Sequence, residues 1–164
     1  MSLKAYGLGA ALLANVSLAT GGMPNMIIPD ARIDTNNVRP SIGIDSENRS
    51  FVDAFGRQVI FHGVNVVYKV DPYIPSTGAF DSQNSLNDED IALLSKWGMN
   101  FVRLGVMWEA VERTEGVYDD AYLDKVETMI NKLGVAGIYT LVDAHQDVFA
   151  RSMCGEGVPD FYAK

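Results

Sequence analysis

The sequence predicts an α/β chain built on a parallel sheet, with strands and helices alternating. Three observations carry that prediction. Apolar, β-branched stretches begin near Phe61, Phe101 and Ile138, about one strand–helix unit apart. Two capped, amphipathic helical patterns lie between them. The third stretch, Ile138 to Asp147, reads IYTLVDAHQD and turns abruptly from apolar to acid, imidazole and amide groups. Strands of (β/α)-type enzymes turn polar in this way at their active face.

The first 19 residues differ from the rest. Lys4 supplies a positive start, Ala5 to Leu18 is mostly apolar and small, and Ser17 and Ala19 fill small-residue positions before a cut. Residues 1–19 therefore read as a secretory signal peptide. The run is short for a membrane span of about 20 residues. The expected location is outside the cell or in the endomembrane lumen. Residues 20–50 are rich in Gly, Pro, Asn and Asp and are expected to form an extended leader. Asn48-Arg49-Ser50 within it is an N-glycosylation acceptor in a secreted chain.

Residues 51–164 are expected to be part of a catalytic domain. Phe51-Val52 and Gln58 to Ile60 flank Asp53-Ala54-Phe55-Gly56, a turn that predicts a small hairpin. Val59 to Val67 is apolar on both faces, as a covered parallel strand should be, with Gly63 marking close backbone packing. Tyr68 to Leu86 is a long loop with Pro72, Pro75 and Gly78. Asn87 caps a helix to Trp97, with Leu86 stapled onto Ile91, a stripe of Ile91, Leu94 and Trp97 or Gly98, and Gly98 as the stop. Asn100 to Val106 is a strand, apolar apart from Arg103, and Met107 to Tyr118 a loop. Asp119 or Asp120 caps a second helix with a stripe of Tyr122, Val126, Met129, Ile130 and Leu133, ended by Gly134. Gly137 to Val142 is the last strand. Three strands are too few to close a barrel, which takes about 250 residues. The chain is expected to be the N-terminal part of a longer protein.

Composition bounds the function. At 164 residues the chain can bury one core and is too short for two large domains. A net charge of −8 gives no basic footprint for nucleic acid or anionic lipid. Cys154 is the only cysteine, so no disulfide forms within the chain. Phosphate-loop, Gly-x-Ser-x-Gly and His-Glu-x-x-His patterns are absent. Gly7-Leu8-Gly9 precedes no strand–helix unit and is no dinucleotide fingerprint.

Chemistry is expected at the end of the last strand. Asp143, His145 and Asp147 are spaced two apart and would share one face of an extended backbone. With Gln146 they form a polar pocket suited to several hydroxyls at once. The same Asp-x-His-x-Asp spacing also admits a metal. Arg103, inside an apolar strand, needs a carboxylate: either Asp143 or another local acid in a structural pair, or a catalytic group that it keeps ionised. Asn65 and Lys69 lie at or beyond a strand end on the same side, whereas His62 reads as a core histidine. Glu109, Glu112 and Glu115 sit in one loop and read as solvated or paired with Arg113. Trp108 reads as pocket rim or core.

Four segments together resemble a known family. They are GRQVIFHGVN (Gly56 to Asn65), GMNFVRLGVMWEAVE (Gly98 to Glu112), LVDAHQDVFAR (Leu141 to Arg151) and CGEGVPD (Cys154 to Asp160). Their order and spacing resemble glycoside hydrolase family 5, and more narrowly its endoglycoceramidase-like branch. The resemblance implies a (β/α)8 TIM barrel, of which this chain would hold about three βα units after a short β-hairpin. It implies a retaining mechanism with two glutamates, on a fourth and a seventh strand that are not among these residues. The chain alone is thus expected to be inactive. Arg103 resembles the second-strand arginine that supports the nucleophile, and His145 the third-strand histidine of the cleaved-sugar subsite. Lys69, Asp143 and Asp147 resemble sugar contacts. Phe161-Tyr162 stands where tryptophan is expected early in the segment, and Glu115 where proline is common. The implied substrate is a glycan or glycosphingolipid, reached by transient contact with a membrane surface, with no cofactor, no nucleic acid and no obligate protein partner. The alternatives are a metal-dependent hydrolase using Asp143, His145 and Asp147, and a non-catalytic sugar- or lipid-binding remnant.

Overall fold

The structure, a computed structural model, describes residues 41–163. The predicted signal peptide and residues 20–40 of the predicted leader lie outside this range. The described chain opens with a small antiparallel sheet of β1 (Ile42–Asp45), β2 (Ser50–Asp53) and β3 (Gln58–Val59), in the order β1-β2-β3. Residues 42–50, expected in the leader, are therefore a strand and a turn. Asp45 makes that turn: its carboxylate accepts from the Glu47 and Asn48 amides at 3.0 and 3.1 Å and from Asn48 Nδ2 at 2.8 Å. Asp53 closes the predicted hairpin the same way, accepting from the Phe55 and Arg57 amides at 2.9 Å each.

The second sheet is parallel throughout, in the order β4 (Gly63–Val66), β5 (Phe101–Met107), β6 (Tyr139–His145). Helices α1 (Asp88–Lys96) and α3 (Asp120–Val135) connect the strands. Alternation along β5 sends Val102, Leu104 and Val106 into the core beside Ile91, Leu94, Tyr122, Val126, Met129 and Leu133. Both predicted caps form. Asn87 and Asp90 exchange backbone amides in a capping box at 3.0 and 2.9 Å, and Asp119 accepts the Tyr122 amide at 2.9 Å. Leu86 and Ile91 are both buried, as the staple requires.

Six expectations shift. The run Val59 to Val67 is split: Val59 belongs to the antiparallel sheet, and the parallel strand begins at Gly63. His62, at the crossing, is exposed rather than core, and Asn100 holds its backbone instead of its ring. Trp97 is 64% exposed and caps α1 instead of extending its stripe. The second helix runs through Gly134, which is buried; Gly137, at φ +78°, is the residue whose left-handed backbone stops it. The loop after β5 contains a helical turn, α2 (Trp108–Val111). Finally, β6 runs on to His145, three residues past the predicted end, so Asp143 and His145 are strand residues.

The face of the parallel sheet away from the helices is layered. At its N-terminal end Phe61, Phe101 and Tyr139 stack, with ring centroids 4.8 and 5.6 Å from Phe61. Phe51 of the antiparallel sheet packs edge-on against Phe61 at 4.9 Å, so the small sheet forms a floor beneath the larger one. Toward the C-terminal ends the same face turns polar.

Candidate functional site

Register assembles that polar end. Asn65 pairs with Arg103, Gly105 with Asp143, and Met107 with His145. Gly105 carries no side chain, and a Cβ there would meet Val67 Cγ1 at 2.9 Å, so Val67 fills the space. Arg103 Nη2 lies 2.6 Å from Asp143 Oδ2, and His145 Nδ1 lies 2.8 Å from the same oxygen. Of the partners predicted for Arg103, the described residues supply Asp143. The carboxylate accepts from both neighbours, which places the imidazole proton on Nδ1. His145 is 8% exposed, and its Nε2 is buried with no hydrogen-bond partner.

Asp147 Oδ2 faces Nε2 from the other side of the ring, at 3.4 Å. The three residues share one face as predicted, but the imidazole stands between the two carboxylates. Asp143, His145 and Asp147 therefore offer no common point to a metal ion. Lys69 sits against Asp147 and, at 2.7 Å, against Glu156. These pairs, Asp147 first, push the Lys69 ammonium above its ordinary pKa. Lys69 in turn holds the Asp147 carboxyl below the usual carboxylate range.

A loop of residues 146–158 folds back over this end. Gln146, expected as a pocket amide, accepts the Phe149 amide through Oε1 at 2.9 Å and so fastens the loop. Arg151 binds Glu109 through Nε and Nη2, both at 2.9 Å, and donates to the Lys69 carbonyl. Glu109 also exchanges bonds with Gly157, accepting its amide at 3.1 Å and donating to its carbonyl at 2.8 Å. Asn65 is exposed beside Arg103 in register.

The expectation for the glutamates holds for Glu115, which is exposed, and is corrected for Glu109 and Glu112. Arg113 pairs with Asp71 and Asp119, not with any of them. Glu109 is held by Arg151. Glu112 is 1% exposed and accepts from Trp108 Nε1 and the Gly116 amide at 2.7 Å each, and from the Tyr162 hydroxyl at 3.0 Å. The helical turn α2 puts Trp108 four residues before Glu112 on one side, a spacing visible in the sequence. Trp108 also packs against the Tyr162 ring at 4.9 Å.

The Gly116 amide first, then Trp108 and Tyr162, hold the Glu112 carboxyl below its ordinary value of 4.5 despite its burial. A lowered folded-state pKa adds stability above pH 4.5 and loses it as pH falls through the folded value. Glu112→Gln is expected to lower the melting temperature at neutral pH and to flatten its fall below pH 4.5. Melting curves from pH 7 to pH 3 check this; parallel profiles for the two proteins would contradict it.

Parallel strands, helices on one face and a polar cluster at the strand C-termini define a class of protein: a (β/α)-barrel scaffold with its pocket at the top. Comparison with known proteins makes this narrower. The model of the family described as Cellulase (glycosyl hydrolase family 5) matches residues 52–162. The chain belongs to glycosyl hydrolase family 5. It is 37% identical over 150 residues to an endoglycoceramidase of Cyanea nozakii, covering 92% of this chain and 28% of that protein. It is 34% identical over 122 residues to endoglycoceramidase I of Rhodococcus hoagii (strain 103S), covering 74% and 24%. The solved structure of endo-glycoceramidase II from Rhodococcus sp. in its five-membered iminocyclitol complex superposes with a TM-score of 0.54 at 31% identity, covering 69% and 25%. The chain thus spans about a quarter of the length of the relatives it matches. Its fold is part of the (β/α)8 barrel of this family.

Proposed function

We propose that this chain forms the sugar-holding side of a retaining glycosidase that cuts the bond between oligosaccharide and ceramide in glycosphingolipids. The observation that carries the reading is the row Asp143, His145, Asp147 on one face at the end of β6. It stands within a family 5 fold whose relatives include endoglycoceramidases. Carboxylates accept from sugar hydroxyls, and the unpartnered His145 Nε2 and the Lys69 ammonium supply further contacts. Asn65 lies beside them, and the Gln146 amide nitrogen is left over once its oxygen has bound Phe149. Arg103 is fixed by Asp143, and a second carboxylate beside its guanidinium would be kept ionised, which is the role this reading gives it toward the nucleophile.

In the reaction, one glutamate attacks the anomeric carbon while the other protonates the leaving oxygen and then activates water. Retention needs the two carboxyl groups about 5 Å apart across the bond. Among the described residues, Glu109 and Glu112 are spent on Arg151 and on Trp108, Gly116 and Tyr162. Residues 1–164 alone are expected to show no turnover of a fluorescent glycosphingolipid, whereas the intact natural polypeptide hydrolyses it with retention at the anomeric carbon. Turnover by the short chain would refute this division of labour. An intact polypeptide active only on glycans without lipid would refute the substrate. The signal peptide over residues 1–19 and release into the secretory route belong to the same proposal, as does transient contact with a membrane surface through the substrate. N-terminal sequencing of the secreted product tests them.

A further inference from the structure

We infer that Lys69 is the resident cation of a pocket that Glu156 completes, and that His145, Asp147 and Glu156 become a divalent-metal site once the ammonium is removed. Glu156 was not among the residues singled out in the sequence. One ligand atom each from His145, Asp147 and Glu156 lies within 4.8 Å of the others. The Lys69 ammonium is bonded to both carboxylates. Two of its three N–H donors are thereby used, leaving one for a ligand. The buried, unpartnered His145 Nε2 is aimed at the same space, beside Asp147.

The backbone explains why Glu156 is there. Asp147 and Glu156 exchange both amide hydrogen bonds, at 3.0 and 2.8 Å, so the loop returns directly against the end of β6. The glycines on either side of Glu156 permit that approach. A Cβ on Gly155 would stand 2.1 Å from the Asp147 carbonyl, and one on Gly157 2.4 Å from the His145 carbonyl. The segment Gly155-Glu156-Gly157 thus delivers a carboxylate to Lys69 that no side chain at the flanking positions would allow. Glu156 acts on the substrate through Lys69 and is a positioning residue. With the ammonium in place, both carboxylates are held and one of their two charges is neutralised, so the pocket suits neutral hydroxyls rather than a second cation. Without it, two carboxylates and an imidazole nitrogen converge, a donor set fit for zinc.

This rests on the sugar-pocket reading for its kinetic part only. Zinc titrations, followed by calorimetry on the intact polypeptide, test the geometry. The wild type is expected to take up no zinc at this site, Lys69→Ala about one equivalent, and Lys69→Ala with Glu156→Gln markedly less, about tenfold weaker or worse. Lys69→Met repeats the test should Lys69→Ala fail to fold. Equal uptake by the wild type, or none by a folded Lys69 variant, would overturn the inference. In the intact enzyme, Glu156→Gln is expected to raise KM for a glycosphingolipid about tenfold with kcat nearly unchanged, and Glu156→Asp to recover part of the loss. An unchanged KM would remove Glu156 from the pocket. Should the polypeptide prove inactive on glycolipids while the zinc pattern holds, it is the substrate assignment that fails.

Discussion

Gly63→Ala is expected to abolish cooperative folding of the parallel sheet. Gly63 opens β4 and pairs in register with Phe101 of β5. A Cβ at this position would stand 1.6 Å from the Phe101 carbonyl oxygen and 2.7 Å from its carbon. Both are backbone atoms of a paired strand, so no rotamer change relieves the clash. Ordinary overpacking costs about 1–3 kcal/mol because side chains give way. Here a strand must move, and the loss is about 4 kcal/mol or more. Displacing β4 also removes Lys69 from Asp147 and the Phe61 ring from Phe101. Thermal unfolding followed by far-ultraviolet circular dichroism reads this directly. Gly56→Ala is the control: its φ of +75° is strained for alanine, but nothing lies within 4 Å, and about 1 kcal/mol is expected. Equal melting temperatures for the two variants would show that the β4–β5 register is wrong.

On the glycosidase function proposed above, Arg103→Met in the intact polypeptide is expected to cost about a hundredfold in kcat/KM while leaving its fold in place. Methionine keeps the stem and loses the guanidinium. Asp143 then keeps only His145, and the negative charge it carries lies uncompensated beside the pocket. Asp143, no longer held by Arg103, fixes the imidazole less firmly, and an error of about 1 Å in a positioned group is worth about a hundredfold in rate. The stability change is small, about 1 kcal/mol, because the Arg103 side chain is more than a third exposed and water screens the pair. Arg103→Lys restores charge without the planar fork and is expected to recover only part of the activity. Steady-state kinetics with a melting curve for each variant separate the two effects. A hundredfold loss accompanied by an equally large loss of stability would make Arg103 a structural residue only.

What the sequence made legible were the features with short-range causes. Each cap is a side chain bonded to a backbone amide three residues on: Asn87 was legible outright, and Asp119 as one of two candidates with Asp120. The alternation of Asp143, His145 and Asp147 follows from the period of a strand, so their common face was visible before the structure. Misreadings came where two local signals competed or a partner lay far off. Gly134 and Gly137 both suit a helix end, and only packing showed that Gly134 is buried inside the helix while Gly137 takes the left-handed turn. Val59 to Val67 is apolar apart from His62 and Asn65, and nothing in that pattern marks the change of sheets at residues 60–62. Glu112 could have been found from Trp108 at helical spacing, but its third donor, Tyr162, lies 50 residues on. Glu156 became visible only with the loop folded, since its partner Lys69 belongs to another βα unit.

Sequence distance also orders the pocket in time. The bonds that cap α1 span three residues, whereas Lys69 and Asp147 are 78 apart and Arg151 reaches back 82 to the Lys69 carbonyl. Contacts that close long loops pay their entropy before they return any energy. The helices and their caps are therefore expected to form early, the parallel register next, and the clasp of residues 146–158 on Lys69 and Glu109 last. Amide exchange will open in the reverse order, with the Glu156 and Gly157 amides released before those of β5. The polar end of the parallel sheet is thus its kinetic frontier: the last place where the chain commits to its fold and the first where it lets go.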